Sequence, residues 1–150
     1  MGFSTDLLKG VAELLGDTTS AIWRPDGSAY GPAEIPIVLG SLPTSPDRAL
    51  GLALYGAQQS SDDVAQADSM TGLQVRVRGR KGDTTIVDDL ADEVFEQLQG
   101  LSDHTLSTGV HLLLVDRRIV APLGMDGNGR YERADSYDLT VHRPSLYRIE

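Results

Sequence analysis

The sequence predicts an α+β fold, in which a mixed, mostly antiparallel sheet carries two flanking helices. Two segments place apolar residues at helical spacing, several short segments alternate between apolar and polar residues, and turn-linked strand segments lie on both sides of the second helix. With 150 residues, 40% of them hydrophobic, the chain can bury one core. We therefore expect a single domain over residues 1–150.

The first third of the chain predicts one helix followed by short strands. The helix covers residues 4–17, with a hydroxyl side chain before it as a cap and Gly16 to end it. Extended segments follow at residues 21–31 and 34–40, where turn residues and a proline limit their length. Residues 48–56 alternate with leucines on one face, as expected for a strand that is buried on one side.

Residues 58–71 are polar and lack periodicity, which predicts a long loop or flap between two strands of one sheet. This segment holds three carboxylates, Asp62, Asp63 and Asp68, that could bind a divalent cation. Acids in such a loop are more often simply solvated. A small metal-dependent enzyme using this cluster is therefore a less favoured alternative.

The stretch GLQVRVRGR, residues 72–80, predicts a strand with two different faces. Leu73, Val75 and Val77 point one way, whereas Arg76, Arg78 and Arg80 point the other way. An arginine face could bind nucleic acid or a protein. The net charge of −9 opposes general binding of nucleic acid, because phosphate would be repelled at long range.

Residues 84–101 give the strongest helix prediction, and this helix carries an acidic ridge made of Asp88, Asp89, Asp92, Glu93 and Glu96. Its buried stripe is apolar, and Gly100 ends it. Like charges recur four residues apart on the solvent side, which weakens a helix slightly. The ridge is either a solvated face or a surface that meets arginines of a neighbouring molecule. The hypothetical subunit interface therefore joins two sets, Asp88, Asp92 and Glu96 on the helix and Arg76, Arg78 and Arg80 on the strand.

The final third predicts two strands, at about residues 110–121 and 130–143, joined by a glycine-rich turn. Asp126 and Asn128 match the first two ligand positions of an EF-hand loop. Arg130 and Tyr131 do not fit the ligand and glycine positions that follow. A turn between strands therefore explains this segment better than a calcium site.

The chain lacks the residue patterns of an enzyme active site. It has no cysteine, its three histidines stand singly, and no Gly-x-Ser-x-Gly or phosphate-loop pattern occurs. We therefore predict no catalytic residues, no cofactor and no metal. No stretch has the length of a membrane span, and no secretory signal opens the sequence, so we expect a protein made in the cytoplasm.

Three segments, SPDRALGLALYG (45–56), GLQVRVRGR (72–80) and DDLADEVFEQLQGL (88–101), together resemble the tail terminator or minor capsid proteins of long-tailed bacteriophages. The first helix followed by WRPDG, and the closing ERADSYDLTVHRP, fit the same layout. The resemblance covers nearly the whole chain and rests on strand and turn residues.

The resemblance implies a structural protein of the virion that acts without catalysis or cofactor. Subunits of this family assemble as a ring, usually a hexamer, at the head-proximal end of the tail tube. The ring stops tube polymerisation and offers a surface to the head connector. The implied partners are other copies of the chain, the tail tube protein and the connector, and genomic DNA would pass through an acidic lumen without specific binding. Another head–tail connector or neck protein is the nearest alternative.

Overall fold

The computed structural model describes residues 2–56 and 66–149 and contains two helices and one six-stranded sheet. The elements in chain order are α1 (Phe3–Thr18), β1 (Ile37–Leu39), β2 (Ala49–Tyr55), β3 (Asp68–Lys81), α2 (Ile86–Leu98), β4 (Ser102–Thr105), β5 (His111–Met125) and β6 (Arg130–His142). The predicted α+β class with a single domain is confirmed.

The strands lie in the order β1-β2-β3-β6-β5-β4. Among these described strands only β1 and β2 run parallel, and every other neighbouring pair is antiparallel. The long pairs β3–β6 and β5–β6 form the centre of the sheet. The mixed, mostly antiparallel sheet is therefore confirmed, with α1 before its first strand and α2 between β3 and β4 along the chain.

Both helices pack on one face of the sheet and enclose the core there. Leu7, Val11 and Leu15 of α1 and Leu90 and Val94 of α2 are buried against the strands. The strand residues that meet them are Leu50, Leu52, Leu73, Val75, Val77, Leu112, Val115, Tyr137 and Leu139. The predicted alternation of β3 is confirmed, because its leucine and valines lie in this core.

The helix ends differ in detail from the sequence prediction. α1 continues through Gly16 to Thr18, and no side chain caps its start. Asp83, not a threonine, accepts hydrogen bonds from the backbone N–H groups of Thr85 and Ile86 at the start of α2. Gly100, with φ of 78°, follows the end of α2 as predicted.

The strands also differ from the prediction at their ends. Residues 68–71 belong to β3, so the prediction of a loop over 58–71 is wrong for these four residues. Residues 58–65 of that segment lie outside the described residues. Residues 21–31 do not form a strand, although Ile22 makes an isolated bridge to Pro36. Among the described helices, none is long and apolar enough to cross a bilayer.

Candidate interaction surfaces

The three arginines of β3 have different surroundings although they alternate onto one face. Arg76 is exposed and forms a salt bridge to Glu132 of β6, with 2.6 Å between its Nη2 and the carboxylate Oε1. Arg80 is exposed. Arg78 has only 3% of its surface exposed. The expectation that the whole stripe faces outward is therefore wrong for Arg78.

Arg78 is buried because the loop between β1 and β2 folds over it. Its guanidinium donates hydrogen bonds to three backbone carbonyls, those of Pro43, Pro46 and Asp47, at 2.6 to 2.9 Å. Burial lowers the pKa of Arg78, and the nearby charge of Arg130 lowers it further. Arg78 therefore fixes a loop within its own chain and is not available to a partner.

Arg130 fixes the same loop from β6. It donates a hydrogen bond of 2.6 Å to the carbonyl of Thr44 and binds Asp126 at 2.8 Å. Asp126 also accepts the backbone N–H groups of Asn128 and Arg130, and these hydrogen bonds lower its pKa to about 2. The segment that partly matches an EF-hand is thus a hydrogen-bonded turn between β5 and β6. No cluster of metal-binding side chains occurs among the described residues.

Some carboxylates of the acidic ridge on α2 are bonded to other side chains of the same chain, and others are exposed to solvent. Asp88 binds Arg133 of β6 at 2.9 Å, and Glu93 accepts two hydrogen bonds from Ser20. Asp92 and Glu96 are exposed on the solvent side of the helix. The structure therefore keeps these two carboxylates as candidates for contact with another molecule.

A charged cluster lies between α2 and the sheet. Asp135, which is 2% exposed, accepts hydrogen bonds from Arg133 at 2.8 and 3.0 Å and lies 3.4 Å from Arg117. The Arg117 guanidinium also stacks on the ring of Phe95 in α2, 4.0 Å from its centre. Burial raises the pKa of Tyr137 beside them to about 12. Arg117 therefore ties the helix to the sheet within one subunit.

The second half of β5 is apolar and exposed. Its outer edge is covered only as far as Arg117, whose backbone N–H donates a hydrogen bond to the Gln99 side chain. Beyond that residue, no strand in the described part of the chain pairs with this edge. We call residues 118–125 the apolar arm. Its large exposed side chains are Ile119, Val120, Leu123 and Met125, with 44 to 60% of their surface accessible.

A second exposed apolar feature follows β6. Ser145 and Arg148 exchange two backbone hydrogen bonds, which leaves Leu146 and Tyr147 at the tip of a tight turn. These two side chains, which we call the apolar knob, are 81 and 84% exposed. Arg148 anchors the turn to the sheet through hydrogen bonds to the carbonyl of Gln66 and the hydroxyl of Ser69.

The acidic residues of the predicted loop cannot be placed together as a metal site. Asp62 and Asp63 lie outside the described residues. Asp68 lies at the start of β3, and its carboxylate forms a hydrogen bond of 2.9 Å with the His142 ring. His142 is therefore bonded to a neighbouring strand, on the polar side that its alternation predicts.

These features define a class of protein, a small α+β domain whose prominent surfaces are charged and apolar patches. The family model of the bacteriophage tail terminator protein matches residues 14–143. The chain belongs to this family. It is therefore a structural protein of a phage tail, and membership of this family implies a role other than catalysis.

Comparison with solved structures shows the same fold. One similar chain comes from a structure described as the virion of a native gene transfer agent particle. It is 15% identical, with a TM-score of 0.56 over 87% of this chain and 83% of that chain. A second solved protein is 18% identical, with a TM-score of 0.55 over 93% of this chain and 96% of that one. No curated protein matches this chain.

Sequence reasoning missed the apolar arm and the apolar knob. The run IVAPLGM is rich in apolar residues, and only the positions of β4 and α2 reveal that it is uncovered. Leu146 and Tyr147 do give a signal in the sequence, since they lie a few residues after the strand and just beyond Pro144 and Ser145, in a segment with no apolar periodicity.

Proposed function

We propose that this protein assembles as a closed ring, a hexamer, at the head-proximal end of the phage tail tube. In this position the ring stops tube polymerisation and provides the surface on which the head connector joins the tail. The observation that supports the proposal most strongly is membership of the tail terminator family over residues 14–143. The protein acts without catalysis or cofactor and resides in the neck region of the virion.

The charge of the subunit fits this position. The net charge of −9 suits a ring whose lumen lets DNA pass without adhering, because carboxylates and phosphates repel each other. The partners are further copies of the chain, the tail tube protein and the connector. Charged surfaces of this kind fix the register of a contact and speed the encounter of the partners more than they raise the affinity.

Ring formation is tested with the purified protein, alone and mixed with tail tubes. Native mass spectrometry over a concentration series should show one closed oligomer, and electron microscopy should show it at one end of each tube. Tubes assembled in its presence should stop at a defined length. A strict monomer under every condition, including in the presence of tubes, would contradict the proposal.

Between ring subunits, we propose that Asp92 and Glu96 of one copy face Arg76 and Arg80 of the next. Arg78 leaves the predicted interface because it is buried in its own subunit. Arg76 and Asp88 each form an ion pair within their own subunit, but both side chains stay exposed. Reversal of Asp92 and Glu96 to lysine should impair assembly, and added salt should weaken the wild-type ring. Reversal of Arg76 and Arg80 to glutamate in the same chain should restore part of the assembly.

The control for this charge reversal is a pair of acids with the same spacing on α1. Glu13 and Asp17 are exposed and four residues apart, as Asp92 and Glu96 are, although Glu13 also accepts a hydrogen bond from the Ser107 hydroxyl. Their replacement by lysine changes the net charge equally and should leave assembly intact. If the α2 and β3 reversals only add in a double-mutant cycle, the two sets do not meet.

A further inference from the structure

The apolar knob and the apolar arm lie at opposite ends of strand β6. The arm pairs with the start of β6, where Ala121 lies opposite Ala134 and Met125 opposite Tyr131. The knob follows the other end of the strand, at His142. Ile119, the first large apolar residue of the arm, lies opposite Ser136, and β6 spans about 20 Å from there to His142 at the usual rise of a strand. The two features therefore cannot meet within one subunit.

The knob has the structure of a preformed contact. Tight turns favour Gly, Pro, Asn, Asp and Ser at their exposed positions, whereas this turn presents a leucine and a tyrosine. The backbone bonds between Ser145 and Arg148, together with the bonds from Arg148 to the sheet, hold the turn in place. Docking of Leu146 and Tyr147 would therefore cost little ordering entropy.

The arm is built for contact through side chains and not for addition of a strand. Pro122 has no backbone N–H to offer, and the β5–β6 register shifts at Arg117/Ile119 and again at Pro122/Gly124. Prolines and bulges are the devices by which proteins prevent edge-to-edge pairing. The exposed isoleucine, valine, leucine and methionine side chains remain as the surface that a partner can cover.

We infer that the knob of one copy docks on the apolar arm of the next copy. The inference rests on the proposed ring and names its principal apolar contact. Two different surfaces on one subunit make a head-to-tail contact, which is the type that generates rings. The knob contributes an aromatic and an aliphatic anchor, and such residues dominate the binding energy of interfaces.

The charges at the two ends support a second copy as the occupant. α2 runs along β6 from Asp88, beside Arg133, to Phe95, which lies under Arg117. Glu96 is therefore toward the knob end of the subunit. Arg80 is at the arm end, next to the pairing of Lys81 with Arg130. End-to-end docking brings the acidic residue of one copy toward the basic residue of the next.

Cross-linking between copies tests the contact directly, because the natural chain has no cysteine. One protein carries Tyr147→Cys and a second carries Leu123→Cys, and the two are mixed with tail tubes and treated with a short bismaleimide. The expected product is a covalent dimer of the two variants. Leu114→Cys replaces Leu123→Cys in the control, because Leu114 is 47% exposed and Leu123 is 46% exposed on the same strand. The control pair should give no such dimer.

Assembly measurements separate this inference from the proposed function. Rings that form without a cross-link between the two variants, or with an equal yield in the control, overturn the inference and leave the ring proposal intact. Cross-linking of the Tyr147→Cys variant to the tube protein instead would also overturn it. If neither rings nor cross-links form under any condition, the proposed function and the inference both fail.

A mixing experiment gives a second measurement. Leu146→Ser with Tyr147→Ser should raise the concentration for half-maximal ring assembly by about tenfold or more, and Ile119→Ser with Leu123→Ser should do the same. A mixture of the knob variant and the arm variant retains one good contact per pair. It should therefore yield dimers but no rings. Rings from this mixture would contradict the head-to-tail contact.

Discussion

The two halves of β5 both pair with β6, but the other elements that pack around them differ. From His111 to Arg117 the strand has β4 and Gln99 on its outer edge and α2 above its inner face, and Leu112 and Val115 are fully buried. From Arg118 to Met125 only β6, among the described strands, accompanies it, and its large apolar side chains are exposed. Strand pairing therefore does not decide burial in this fold. Which part of β5 is buried depends on where α2 and β4 end.

The largest expected effect is a difference in stability between leucine-to-alanine variants in the two halves of β5. Leu112→Ala removes a side chain with no exposed surface, and the resulting cavity should lower the free energy of unfolding by about 2–5 kcal/mol. Leu123→Ala in the apolar arm should change it by less than about 0.5 kcal/mol. Urea unfolding of both variants measures the difference. Equal losses would show that the arm is packed in the isolated subunit, contrary to its exposure.

A smaller effect should come from the loop that folds over β3 and the start of β6 but leaves the apolar arm of β5 uncovered. Arg78→Gln removes the guanidinium that binds the carbonyls of Pro43, Pro46 and Asp47, and it should cost about 2 kcal/mol because buried acceptors lose their donors. Arg80→Gln is the control, and it should be nearly neutral because Arg80 is exposed. If the two variants are equally stable, the loop does not depend on Arg78.

The smallest effect should be a loss of stability in acid that depends on Asp126, in the turn that follows the apolar arm. The pKa of Asp126 is lowered from 3.8 to about 2, chiefly by the backbone N–H of Arg130. A lowered pKa adds stability that is complete above pH 3.8 and is lost as the pH falls toward 2.

This pH dependence is measured by thermal unfolding between neutral pH and pH 2. Asp126→Asn should be less stable at neutral pH and should lose less stability over the acid range than the wild type. Asp92→Asn, on the exposed ridge, should follow the wild-type profile. An unchanged acid profile for Asp126→Asn would show that the turn does not depend on the ionised carboxylate.

The same comparison shows where sequence reasoning succeeds. Both helices and the alternation of β3 were predictable, because each of these elements buries a stripe of its own residues at a fixed period. The turn at Asp126 was predictable from local chemistry, since aspartate and glycine favour it. The fold class follows from the order of these elements along the chain.

The failures have a different physical origin. β4, with the sequence SDHT, carries no apolar pattern and exists because its backbone pairs with β5. Arg78 looks like its neighbours Arg76 and Arg80 in the sequence, and only a loop more than thirty residues earlier makes it internal. The exposure of the apolar arm likewise depends on where other elements end, which no local pattern records.

The proposed docking of the apolar knob on the apolar arm of the next copy has a genetic consequence. In a closed head-to-tail ring, every copy must supply both ends, so one defective copy spoils the whole assembly. A variant without the knob would therefore be dominant over the wild type when both are expressed together. The yield of functional tails would fall as the fraction of wild-type protein raised to the number of copies in the ring. A titration of mixed expression would thus count the subunits without imaging them.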